Sequence, residues 1–265
     1  MRTIRTEAAI KSALIDRLFD KGEVCGDAVI ISEMVVDSWS RRADLVLANG
    51  KLSAFEIKSD FDTLTRLAGQ LETYRAVFER VVVVVTPKFQ HKLDEIVPEG
   101  IGIWIVDDAV SGGIREKRRA RTIELSREAA IALMTVTDLR RLLYANGISG
   151  AAKTCRRELE ALAGNLTKKD LASAARNSVK RRFRSHFRRF VSRRESRGTY
   201  AALRALNRTQ RQKAQPQEEL PIAVPNVEIP ADHPLVIATP VGPMLRRAIR
   251  GHSSSSSSPP AAGDT

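Results

Sequence analysis

The sequence predicts an α/β fold: a mixed central sheet flanked by helices, then a basic all-helical segment and a C-terminal tail of disordered composition. Three observations predict it. Short apolar runs alternate with helical patterns up to about residue 125. Residues 176 to 197 then hold ten Lys or Arg against a single acid, Glu195, on a helical apolar stripe. Beyond about residue 210, Pro, Gln, Ser and Ala take over, with a run of six serines. The expected division is a sheet domain over 1–125, a basic helical domain over 126–210 and a tail over 211–265.

Charge narrows the function classes. Lys and Arg number 44 against 31 Asp and Glu, a formal net charge of +13. Such an excess favours polyanionic partners, because each cation that neutralises a phosphate releases counterions. No apolar run approaches the roughly 18 residues that span a bilayer, and the start lacks a signal-peptide apolar region. The expectation is therefore a cytoplasmic protein with no membrane partner. Cys25 and Cys155 fit a reducing compartment, and four scattered histidines offer no zinc site.

The elements follow in order. Ala9, Ile10, Ala13, Leu14, Leu18 and Phe19 recur at helical spacing over 5–20, with Glu7 and Lys11 on the more polar side. Residues 28–39 read as a strand with one acid, Glu33, inside an apolar run. A buried carboxylate without a partner is costly, so Glu33 faces solvent or something positive, such as Arg42 or a metal. Residues 43–48 and 52–58 form a hairpin around Asn49-Gly50. Ser59 and Asp60 cap a helix with apolar positions Phe61, Leu64, Leu67, Leu71, Tyr74 and Phe78, and with Asp62, Arg66 and Gln70 along its flank. Val81–Thr86 and Ile101–Val106 read as strands buried on both faces, with a short helix between them, and 121–125 as an edge strand. Helices follow over 126–147, about 153–164, and from a Thr167 cap onward, with Val179, Phe183, Phe187, Phe190 and Val191 as the apolar stripe.

The hairpin carries the chemistry, and its loop length decides it. A two-residue turn pairs Asp44 with Phe55 and sends Glu56 to the other face. A three-residue loop over 49–51 pairs Leu45 with Phe55 and Asp44 with Glu56. In that register Asp44, Glu56 and Lys58 share one face, and Leu45, Leu47, Phe55 and Ile57 share the other. The apolar and acidic patterns select the same loop. Two carboxylates on adjacent strands can hold one Mg²⁺, and a lysine one pleat away can polarise a bound water.

These residues resemble a family. Asp44, then Glu56-x-Lys58 across a hairpin, then a helix carrying Gln70, is similar to the PD-(D/E)XK nuclease superfamily. The longer string Glu33…Arg42-Ala-Asp44…Glu56-Ile-Lys58-Ser59-Asp60-x-Asp62-Thr63-Leu64-x-Arg66-Leu67-x-x-Gln70 resembles a sce-type family of bacterial and phage proteins placed in it. The resemblance implies a restriction-endonuclease-like core and a bacterial or phage source. It also implies a Mg²⁺-dependent DNA endonuclease, with Mn²⁺ as a substitute, acting in repair, recombination or phage-related work. Asp44, Glu56 and the Ile57 carbonyl would hold metal, Lys58 would act on water, and Gln70, Glu7 and Glu33 would complete the site. Ala43 departs from the superfamily pattern, which has proline there. Nucleic acid, DNA above all, would lie on Arg42, Arg66, Lys180, Arg181, Arg182, Arg184, Arg188 and Arg189, and a homodimer would let both strands be cut.

Blander readings stand beside this one. Glu-Ile-Lys occurs on many half-exposed strands, Glu7 suits a helix first turn, and Gln70 and Arg66 could be a solvated flank. The rival functions are a non-catalytic nucleic-acid-binding module on the same fold, and a basic segment for a membrane surface or a partner protein. Salt-dependent DNA binding without metal-dependent turnover separates the first rival; binding to anionic vesicles but not DNA identifies the second.

Overall fold

The computed structural model describes residues 6–36, 41–110, 112–148 and 154–206. Its centre is a six-stranded mixed sheet in the order β1-β2-β3-β4-β5-β6. Helix α1 (Glu7–Asp20) is capped by Thr6, whose side chain accepts from the Ala9 amide. Strands β1 (Val29–Val36), β2 (Arg41–Ala48) and β3 (Leu52–Lys58) form an antiparallel meander. Helix α2 (Leu67–Val77) then carries the chain to β4 (Arg80–Val85), which lies parallel to β3. A 3₁₀ turn at Pro87–Phe89 and the short α3 (Leu93–Ile96) lead to β5 (Gly102–Val106), parallel to β4. Strand β6 (Ile114–Arg118) closes the sheet antiparallel to β5.

The hairpin register is the one the three-residue loop requires. Leu45 faces Phe55, Val46 faces Ala54, Leu47 faces Ser53 and Ala48 faces Leu52. The Asn49 amide donates to the Lys51 carbonyl at 3.2 Å, and Gly50, with φ at 119°, supplies the backbone that the turn needs. Strand β3 is buried along its whole length, so both faces of the central sheet are covered. On one face Arg17 of α1 lies over Trp104, which packs against Phe55. On the other, Gln70 and Tyr74 of α2 reach Lys58 and Glu56.

Among the described residues, the helices after residue 125 are α4 (Arg127–Leu133), α5 (Val136–Ala145), α6 (Arg156–Ala163), the 30-residue α7 (Lys168–Arg197) and α8 (Thr199–Ala202), then a 3₁₀ turn at Leu203–Ala205. Helix α7 starts at the expected Thr167 cap and buries Leu171, Ala175, Val179, Phe183, Phe187 and Phe190. It packs on β1 and β2, so these helices share one compact unit with the sheet. The expected tail lies outside the described residues.

Three local expectations change. Helix α2 begins at Leu67 and not near Phe61, because Ser59 and Asp62 tie the chain into a loop. The Asp62 carboxylate accepts from the Ser59 amide at 2.8 Å and its hydroxyl at 2.5 Å, and such local bonds compete with a helix. Asp60 is therefore no cap, and of the expected polar flank only Gln70 lies on the helix. The edge strand is Ile114–Arg118; Arg121 and Ile123 instead donate single backbone bonds to Gly100 and Glu79. The pattern over 126–147 is two helices, since the Thr135 side chain accepts from the Asp138 amide and starts α5 afresh.

Candidate functional site

The expected residues converge at the end of the β1–β2–β3 meander. Glu33 sits in β1 with φ at +55°, the single non-glycine residue with positive φ among those described. Ser32 pairs with Leu45 and Met34 with Ala43, and Glu33 drops out of the ladder between them. A left-handed backbone here costs on the order of 1–3 kcal/mol and persists only where its surroundings hold it. What holds it is ionic. Glu33 Oε1 lies 2.7 Å from Lys11 Nζ, and Oε2 lies 3.6 Å from Arg42. The expectation that Glu33 meets a positive group is met by Lys11 as well as Arg42.

Lys11 was placed on the polar side of α1, and the fold buries it. Its ammonium reaches Glu33, Glu7 at 3.0 Å and Ser32 Oγ at 3.4 Å. Burial works against its charge, yet Glu33 and then Glu7 outweigh burial and raise its pKa above the ordinary lysine value. The i,i+4 spacing of Glu7 and Lys11 was the one sequence signal for this arrangement.

Asp44 stands next to this group. Its Oδ2 accepts from the Ile57 amide at 2.7 Å, at the point where the β2–β3 ladder stops. The expected Asp44–Glu56 backbone pair is thus replaced by a side-chain bond one residue further on. Burial first, and then the Glu56 carboxylate, push the Asp44 pKa up to about 8. Glu56 is buried, and both of its oxygens are answered: Lys58 Nζ donates to Oε1 at 2.7 Å, and the Tyr74 hydroxyl lies 3.0 Å from Oε2. Lys58 also donates to Gln70 Oε1 at 3.0 Å. The Tyr74 hydroxyl lies 2.7 Å from the Arg42 carbonyl; burial first, and then Glu56, raise its pKa well above the ordinary value. The helical spacing predicts Tyr74 as an apolar position; its hydroxyl adds a polar role one turn from Gln70.

Six of the expected site residues therefore come together, in two groups. Glu56, Lys58 and Gln70 form one internally bonded set with Tyr74. Glu7, Glu33 and Asp44 form another, each offering a carboxylate oxygen within 4.8 Å of the others. Among the described residues the three acids gathered this closely are Glu7, Glu33 and Asp44; the set expected from the sequence was Asp44, Glu56 and the Ile57 carbonyl.

The expected nucleic-acid contacts divide just as sharply. Lys180 is buried, with its Nζ 2.7 Å from Asp27, and Arg181 reaches Asp138 at 2.5 Å. Lys180 therefore departs from the expected open surface, whereas Arg181 stays exposed while paired with Asp138. Asp138 also accepts from Ser178 and Thr135. Burial opposes its charge, but the bonds from Ser178, Thr135 and Arg181 prevail and hold its carboxyl well below the usual range. Arg182 donates to the Leu133 carbonyl at 3.0 Å, and Arg184 is half-buried. Arg188 and Arg189 are exposed, as are Arg42 and Arg66.

Among the described residues, no helix is long and apolar enough to cross a membrane. A search of known structures finds a protein of unknown function from Silicibacter pomeroyi at 18% identity and a TM-score of 0.35, over 53% of this chain and 91% of that one. A likeness at that level carries no argument. Among characterised sequences, protein cII of Enterobacteria phage P4 is 37% identical over 196 residues, 73% of this chain and 74% of that protein. The family model that matches, over residues 1–207, is described as Bacteriophage P4 protein cII. The phage part of the expected setting agrees with these matches. The expected metal-dependent hydrolase and repair endonuclease are overturned by them: family and relative alike are protein cII, not a nuclease family. A match over most of its length and a relative this close make the chain a member of the bacteriophage P4 protein cII family.

Proposed function

We propose that the chain is a non-catalytic nucleic-acid-binding protein of a phage system, and that its partner is DNA. One observation carries this reading. Arg188, Arg189, Arg193, Arg197 and Arg204 lie on the surface at the end of α7 and just beyond it, and none has a side-chain partner among the described residues. Like charges three or four residues apart on a helix repel, so such a row is destabilising unless phosphates neutralise it. The sheet is then a scaffold of restriction-endonuclease-like design. In it Glu56, Lys58, Gln70 and Tyr74 satisfy one another and anchor the meander. Arg42, Arg66, Arg182 and Arg184 would add contacts around the edge.

The test is fluorescence anisotropy with a labelled DNA duplex between about 50 and about 200 mM salt. The logarithm of the binding constant should fall linearly with that of salt, by about 0.9 per phosphate neutralised. The duplex should stay intact with Mg²⁺ present. No binding even at the lowest salt sinks the proposal.

A second reading is favoured by the gathered acids. We infer that Glu7, Glu33 and Asp44 bind a divalent cation, Mg²⁺ or Mn²⁺, in a structural role. Their oxygens, within 4.8 Å of one another, suit an ion whose oxygen ligands stand about 2.0–2.6 Å away. Such an ion would offset the burial, and then the repulsion from Glu56 and Glu7, that raise the Asp44 pKa. The melting temperature should rise with either metal in the wild type and stay unmoved in Glu33→Ala; an unmoved wild type disposes of the idea.

A further inference from the structure

The charges of α7 are used in two ways along its length. Arg176 forms a two-bonded pair with buried Glu79, at 2.9 and 2.6 Å, and Lys180 is tied to Asp27. Arg194 turns inward as well. It lies 3.0 Å from Asp16 of α1, donates to Thr199 Oγ1 at 2.8 Å and sits 4.1 Å above the Phe19 ring. Thr199 in turn bonds Asp16 through its hydroxyl. Gly198, at φ +79°, reverses the chain there, and its amide closes on the Arg194 carbonyl at 2.8 Å. The turn after α7 is therefore fixed against α1, with Thr199, Ala202, Ala205 and Leu206 buried beneath it.

That locked turn brings Arg204 back beside the last turns of α7. Arg193, Arg197 and Arg204, with Ser192, Ser196 and Ala201, line a cleft of about 480 Å³. No acid lines it, and none of the three guanidinium groups has a partner among the described residues. Arg193 and Arg197 are one turn apart on a rigid helix, and the Ser192 and Ser196 hydroxyls repeat at the same interval. Ser196 already bonds the Ser192 and Arg193 carbonyls, so its hydroxyl hydrogen is committed and its oxygen oriented. Three arginines lining one cleft without a counter-charge suit the oxygen fork of a phosphate.

We propose that this cleft is a phosphate-binding cradle that grips the backbone of the nucleic acid and fixes its path across the end of α7. The inference rests on the nucleic-acid reading given above and adds the anchoring site, built from residues the sequence pattern did not single out. Three contacts held by one helix and one locked turn set position more than sequence preference, since phosphates carry no base identity.

The experiment compares the wild type with R193A/R197A/R204A and with a charge-matched control, R157A/K168A/K169A, whose exposed cations lie away from the cleft. Anisotropy with a DNA duplex is measured across a salt series, and arginine side-chain NMR shifts are followed during titration with pyrophosphate. The cradle variant should lose about tenfold or more in affinity, and its salt dependence should flatten by about 2.7, or 0.9 for each of three contacts. The control should move less on both counts. Pyrophosphate should shift side-chain signals that vanish in the cradle variant. Wild-type DNA binding with equal losses in both variants overturns the cradle and leaves the broader reading standing. Failure of the wild type to bind DNA overturns both, and binding only to vesicles of anionic phospholipid assigns the cleft to a membrane surface instead. Circular dichroism melts confirm that each variant is folded.

Discussion

The acidic end of the meander and the arginine end of α7 handle charge in opposite ways. At the first, buried groups answer one another: Lys11 serves Glu33 and Glu7, and Lys58 and Tyr74 serve Glu56. Only Asp44 is out of balance, pressed by burial and by Glu56. At the second, Arg193, Arg197 and Arg204 face a cleft with no acid in its lining. A buried charge must find its partner within the fold, because desolvation costs several kcal/mol per ion. An exposed one can wait for a partner from outside. That difference assigns folding to one end and, in the proposed function, binding to the other.

Breaking an internal pair should have the largest effect. Glu79 accepts from Arg176 and from the Leu52 amide at 2.8 Å, and its side chain is 5% exposed. Glu79→Ala should therefore destabilise the fold by about 3 kcal/mol in urea unfolding, since it strands a half-buried guanidinium and a strand amide. A loss below about 1 kcal/mol would show that the pair contributes little. Next comes Lys11→Met, which leaves Glu33 beside Glu7 without their shared cation. It should cost about 2 kcal/mol at neutral pH, and the Glu33 backbone amide should gain hydrogen exchange as its restraint is lost. Unchanged exchange at Glu33 would mean that packing, and not Lys11, holds the left-handed backbone.

Asp44→Asn sharpens the comparison with the opposite sign. The folded protein holds the Asp44 proton up to about pH 8, whereas an unfolded aspartate releases it near pH 4. Between those values the folded state binds more protons, so stability falls as pH rises, and the full penalty is felt above about 8. The asparagine variant should then melt higher than the wild type by a few degrees at pH 9, about 1–2 kcal/mol, and the gap should close toward pH 4. A gap that stays constant with pH would remove Asp44 as its source. Smallest is the effect of R193A/R197A/R204A on stability, which should stay within about 0.5 kcal/mol, or turn slightly favourable, by calorimetry. A large loss would mean that these arginines belong to the fold.

Much of this was legible because it is local. A three-residue loop at Asn49–Lys51 and the alternation around it set the β2–β3 register, which the structure reproduces. The Thr167 cap and the aromatic stripe placed α7. What escaped reading depended on competition or on distance. Residues 59–66 have helical spacing, but the Asp62 carboxylate takes the Ser59 amide and hydroxyl first. Strand β6 hides behind Arg115, Glu116 and Lys117, because an edge strand needs no apolar face on its open side. Lys11 looked like a surface residue of α1, and nothing within that helix reveals that β1 will press Glu33 against it. The pairing of Glu56-x-Lys58 with Asp44 suggested an enzyme, yet the residues by themselves do not separate a hydrolytic site from a buried network.

The sequence by itself determined the α/β class, the hairpin register, the excess of cations and the helix that carries most of them, since periodicity, turn chemistry and net charge are written in neighbouring residues. Only the tertiary structure decided which cations are free. Arg176, Lys180, Arg181 and Arg194 share one helix with Arg188, Arg189, Arg193 and Arg197, and no local feature tells the two sets apart. The acids that claim the first set, Glu79, Asp27, Asp138 and Asp16, come from elsewhere in the chain. A charge is spent or spare according to what packs against it, and packing is a property of the folded whole.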